Sequence, residues 1–147
     1  MDYFYILLAL IAGILMPVQP GINAQLSSLV KDPFLASTIS FAFGTIVLTL
    51  FCLLVRVPWP SWSTIASAPW WLWTGGALGA FFVTATIILA PKIGAVTMLA
   101  LLVLGQMVAS LVLDHFGWLG YPVHPISFWR LVGVIFLIVG VLLVQKF

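Results

Sequence analysis

The side chains able to do chemistry in this chain are few, and the most informative share one segment, Met16-Pro-Val-Gln-Pro-Gly-Ile-Asn-Ala-Gln25. Gln19 and Asn23 lie four residues apart, so in a helix both amides project from one face. Pro17 and Pro20 sit in the same stretch. A proline inside a helix removes one backbone hydrogen bond and pushes on the carbonyl four residues earlier. Here that frees the carbonyls of Gly13 and Met16. In hydrocarbon such a break is tolerated only against protein or a wet cavity, and broken helices at membrane depth point to transporter binding sites. Pro17, Gln19, Pro20 and Asn23 are therefore candidate substrate-binding residues. The competing reading is a structural kink whose amides are satisfied by neighbouring helices.

Gln106 is a possible partner. At 1.5 Å per residue it lies about 18 Å past Gly94, while Gln19 lies about 15 Å before Leu29. The two amides are then at similar depth. They can bind a ligand or hold two helices together, and the spacing does not separate these. Thr84, Thr86 and Thr97 add hydroxyls that more often bond their own helix. Asp114 is a possible functional acid or a loop anchor. As a negative group closing a helix it opposes the dipole, which calls for a local partner such as His115 or Arg130.

Other chemistries are poorly supported. Asp114, His115 and His124 match none of the common metal-ligand spacings, so no metal is expected. No Ser-His-acid set or Gly-rich phosphate loop is present, and neither an enzyme nor a cofactor is expected. The five Lys and Arg are scattered rather than clustered, which gives no footprint for nucleic acid. No ionisable side chain lies mid-span, where a proton-coupled pump would place its exchange site. A substrate that is neutral or zwitterionic fits better than a strongly charged ion.

The elements that position these residues follow from composition. Hydrophobic residues make up 64% of the 147, charged ones 5%, and the mean hydropathy is +1.29. A soluble domain carries about a quarter charged residues; this chain suits a hydrocarbon solvent instead. Five apolar stretches, near 3–29, 34–55, 70–90, 94–113 and 128–144, approach or exceed the roughly 20 residues that a crossing needs. The fold class is an all-α membrane protein, with one transmembrane domain over 1–147. Asp2 and the lack of a basic start argue that the first stretch is a retained helix, not a signal peptide. The single cysteine, Cys52, sits in an apolar run as a small packing residue.

With five spans, all seven tryptophans fall at one face, where amphipathic rings anchor in the headgroup layer. That face carries Arg56 and Arg130; the other carries Lys31, Lys92 and Lys146. So small a difference sets no firm orientation and points to dual topology, copies inserting both ways and pairing as an antiparallel homodimer. A weakly biased single topology is the alternative. Small residues recur at Ala36, Ser40 and Gly44, at Gly75 and Gly79, and at Gly105 and Ala109, where backbones can approach closely.

The last span reads Gly133-Val-Ile-Phe-Leu-Ile-Val-Gly140-Val141. It resembles the dimer-contact segment of the small multidrug resistance proteins, which makes Gly133 and Gly140 candidate dimer contacts. Over its whole length, through Pro17-x-Gln19-x-x-x-Asn23, Gly105-Gln106, Asp114-His115-Phe116-Gly117 and these glycines, the chain resembles the YdcZ-type family of short five-helix proteins in the drug/metabolite transporter superfamily. The resemblance implies a five-helix unit in a bacterial inner membrane, used as a dual-topology homodimer, as an oppositely oriented pair or as a fused ten-helix chain; the first, an inverted-repeat bundle of ten helices, is the expectation here. It also implies transport of a small molecule. Where small multidrug resistance proteins carry a membrane-embedded Glu in helix one, this chain offers Gln19 and Asn23, so proton antiport by that route is not expected. The expected function is an alternating-access carrier, working as an exporter. A passive pore from the same dimer, or an assembly subunit of a larger membrane complex, are the alternatives. Saturable counterflow separates the carrier from the pore, and purification as a self-pair separates it from the subunit.

Overall fold

The computed structural model describes residues 3–146; Asp2 lies outside them. The chain forms α1 (Tyr3–Val30), α2 (Pro33–Leu54), a short α3 (Trp62–Ala66), α4 (Thr74–Ile93), α5 (Ala95–Phe116) and α6 (Phe128–Lys146). Single 3₁₀ turns at Trp70–Trp73 and Trp118–Gly120 precede α4 and follow α5. No strand occurs among the described residues. Five helical segments are long and apolar enough to span a membrane, with α4 counted together with the turn before it.

Local chemistry fixes the ends of these helices. Asp32 is the N-cap of α2, its carboxylate accepting the Leu35 N–H at 2.7 Å. Pro33 follows at the first helical position, where its missing N–H is no loss. Ser61 caps α3 by accepting from the Thr64 N–H. Gly117 ends α5 in the left-handed region, φ 62°, and donates its N–H to Leu113. An added Cβ there would stand 2.6 Å from Val123 Cγ2, so the position needs glycine for both its dihedral and its space.

Two expectations require correction. The Pro17/Pro20 segment does not break the first span: α1 runs from Tyr3 to Val30 as one helix that contains both prolines. Each proline removes a single rung, and in membrane helices neighbouring groups and small local adjustments absorb that loss. The fourth span ends later than expected. Asp114 and His115 belong to the last turn of α5, because the reversal is made by Gly117 rather than by the first charged side chain.

The chain divides into two compact units, one holding Val18–Lys92 and the other the residues up to Pro17 with those from Ile93 onward. In the first, Ala36, Val83 and Ile87 form the core, with Leu26, Val30 and Phe82 packed against it. The expected small-residue stripe on α2 starts in this core, since Ala36 is fully buried. In the second, α5 and α6 pack against each other. Most large apolar side chains are exposed on the helix surfaces. That surface is costly in water and ordinary in acyl chains, where helix association rests on packing and polar contacts instead of hydrophobic drive.

Candidate functional site

In the unit of residues 18–92, α1 turns one polar face inward. Pro20 is buried, and Asn23 is only 5% exposed. The Asn23 Nδ2 has no hydrogen-bond partner among the described residues. A buried amide left unpaired costs about 1–3 kcal/mol, so the sequence tolerates a penalty that an apolar residue would avoid. One turn earlier, Gln19 lines a cavity of about 190 Å³ with Ser40, Phe41, Gly44 and Thr45 of α2. The Thr45 hydroxyl is committed to the Phe41 carbonyl at 2.9 Å.

Nearby polar groups are satisfied differently. Ser37 and Thr84, both buried, meet through their hydroxyls at 2.7 Å, joining α2 to α4. Ser37 Oγ also donates to the Pro33 carbonyl at 2.9 Å, which leaves Thr84 as donor in the pair. Thr86 bonds back to the Val83 carbonyl as expected, whereas Thr84 does not follow that pattern. Its hydroxyl instead reaches Ser37 Oγ on α2. Sequence reasoning missed this interhelix bond; Ser37 and Thr84 at comparable depth were its only signal.

Gln106 lies on α5, in the other compact unit, with an exposed side chain. There the polar groups gather where α5 ends and α6 begins. Arg130 Nη1 donates to Asp114 Oδ2 at 3.2 Å and to the His124 carbonyl at 3.1 Å. The Asp114 carbonyl accepts the His124 N–H at 2.9 Å, and His115 Nδ1 accepts the Ile126 N–H at 3.2 Å. Accepting at Nδ1 places the proton of a neutral His115 on Nε2. The anticipated partner of Asp114 is thus Arg130, while His115 holds the loop. Among the described residues no group of three or more His, Cys, Asp or Glu is placed to hold a metal ion.

Asp114 and Arg130 form the polar end of a cavity of about 330 Å³ lined by Met107, Ser110 and Leu111 of α5 and Gly133 and Leu137 of α6. A second, apolar groove of about 380 Å³ follows along the same two helices past Gly140. An added Cβ at Gly133 or Gly140 would meet nothing within 4 Å. Close packing inside one chain therefore gives no reason for glycine at either position.

All seven tryptophans are exposed, at helix starts and in connecting segments. Five apolar spans with charges confined to their ends make this a multi-pass membrane protein. The chain belongs to the family described as "Putative inner membrane exporter, YdcZ", whose model matches residues 4–143. It is also similar to the inner membrane protein YdcZ of Escherichia coli K12, 39% identical over 82 residues, which cover 56% of this chain and 54% of the relative. The match thus spans about half the length of that relative. No solved structure matches. A multi-pass place in the inner membrane follows from this family and from the five spans.

Proposed function

We propose that the chain is an alternating-access exporter of a small neutral or zwitterionic molecule, working as a dual-topology, antiparallel homodimer. The observation that carries this reading is the buried Asn23 Nδ2 without a partner, one turn from Gln19 and its cavity. An unpaired donor held at membrane depth is a site waiting for an acceptor, and a substrate can supply it. Pro17 and Pro20 contribute by shaping this face of α1, not by exposing a broken backbone. Gln106 offers a further uncharged amide from α5. Amides without a mid-span charge suit a solute that crosses without net charge.

The homodimer draws support from Gly140, where a second backbone could approach without displacing anything in the first chain. Two inverted copies would make the inward-open and outward-open states near mirror images. The exporter direction rests on the description of the family.

The deciding experiment is a panel of neutral and zwitterionic metabolites and drugs screened by melting-temperature shift on purified protein in detergent. Asn23→Leu and Gln19→Leu should abolish the shift given by any hit. Full retention of that shift in both variants would remove the proposed cavity. Dual insertion is tested separately, by cysteines placed at either terminus in a Cys52→Ala background. Each should label from both sides of the membrane, and one-sided labelling would refute it.

A further inference from the structure

The cavity between α5 and α6 has a composition unlike the rest of the molecule. Met107, Ser110 or Leu111, and Asp114 fall on one face of α5, and Arg130, Gly133 and Leu137 on one face of α6. The groove is therefore about 10 Å long by helix rise, charged at the loop end and apolar along its stem. Its polar groups are only partly used. Asp114 Oδ2 and Arg130 Nη1 bond each other, but Asp114 Oδ1 and the Nη2 and Nε groups of Arg130 make no hydrogen bond among the described residues. Ser110 behaves the same way.

From this juxtaposition we infer that the α5–α6 groove binds a zwitterion with a short apolar tail. Its anionic oxygens meet the free Arg130 donors, and its ammonium meets Asp114 Oδ1. The Ser110 hydroxyl bonds the linking atoms, and the tail lies on Met107, Leu111 and Leu137. A purely anionic ligand would meet the Asp114 carboxylate, and a purely cationic one the guanidinium, so both are disfavoured. An apolar helix could not satisfy the three unused groups. The chemistry is shared by a phosphoethanolamine lipid headgroup and by a soluble zwitterion. The inference rests on α5 and α6 alone and not on the reading of Gln19 and Asn23.

The full-length protein in dodecyl maltoside is titrated with a short-chain lysophosphatidylethanolamine, with the matching lysophosphatidylglycerol, and with glycerophosphoethanolamine, which has no chain. The ethanolamine lipid should bind at least tenfold more tightly than the glycerol lipid. If glycerophosphoethanolamine binds equally well, the site takes a soluble zwitterion; if the chain is needed, it takes a lipid. Either result supports the site, and saturable binding of neither ethanolamine probe overturns it. Ser110→Leu keeps the ion pair while filling the groove, and should weaken binding at least tenfold. Arg130→Gln should erase the headgroup preference. Wild-type affinity in Ser110→Leu overturns the inference, as does a change in its oligomeric state with binding intact, which would assign the groove to a second copy.

Discussion

Arg130 and Asp114 meet at 3.2 Å, and each stands at the helix end that disfavours its charge. Asp114 is in the last turn of α5, beside the negative end of the dipole, and Arg130 is in the first turn of α6, beside the positive end. Each misplacement costs about 0.3–1 kcal/mol. The pair offsets both, and the His124 carbonyl gives the guanidinium a second acceptor. A helix-end charge that looks wrong alone is right as half of a clasp.

Unequal losses at the two positions follow. Asp114→Asn removes the ion pair but also a charge that α5 resists, so it should cost about 1 kcal/mol or less for a part-exposed pair. Arg130→Gln loses both contacts and should cost more, about 1–2 kcal/mol. Melting temperatures in one detergent check the order. A larger loss for Asp114→Asn would show that the His124 contact contributes nothing.

Gly117 closes the same corner from the backbone side. Gly117→Ala should cost about 1–3 kcal/mol, combining a residue forced to φ 62° with a Cβ at 2.6 Å from Val123. Adding Val123→Ala should recover the steric part and leave about 1 kcal/mol. No recovery in the double variant would place the whole penalty in the dihedral.

The buried Ser37–Thr84 contact predicts a measurable coupling between α2 and α4. In membrane proteins such bonds are worth about 0.6 kcal/mol on average, with a maximum near 1.7. A double-mutant cycle with Ser37→Ala and Thr84→Val should return a coupling in that range. A value of zero would mean that the two hydroxyls are individually satisfied by their own helices.

Hydropathy alone located the five spans, since a chain this poor in charge has little choice of solvent. What it could not fix were the ends, which depend on single residues. Pro91 reads as a stop, yet α4 runs on to Ile93, because a proline there removes one hydrogen bond in a final turn. Asp114 reads as loop because it is charged, although α5 runs two residues further, to Phe116, and is closed by the left-handed Gly117. The Ser61–Thr64 cap of α3 was present in the sequence but masked by the tryptophan-rich composition around it. At the candidate site, Gln19 and Asn23 on one face were legible from their spacing of four. Burial was not: periodicity is silent in helices that are apolar all round, so nothing in the sequence separates the inward Asn23 from the more exposed Gln19.

That difference makes Asn23 the position where function and stability should part. If the amide were glue between helices, Asn23→Leu would lose a hydrogen bond and destabilise the fold by about 0.5–2 kcal/mol. The structure gives Nδ2 no such bond. A leucine, with the same branching and number of heavy side-chain atoms, removes an unpaired buried donor, so Asn23→Leu should melt at or above the wild-type temperature, gaining up to about 1 kcal/mol. The same variant should lose the stabilisation that a transported solute confers on the wild type. Stability kept and ligand response lost is the signature of a residue held for its substrate. The opposite pair of results would return Asn23 to a packing role, and the donor at membrane depth would need another explanation.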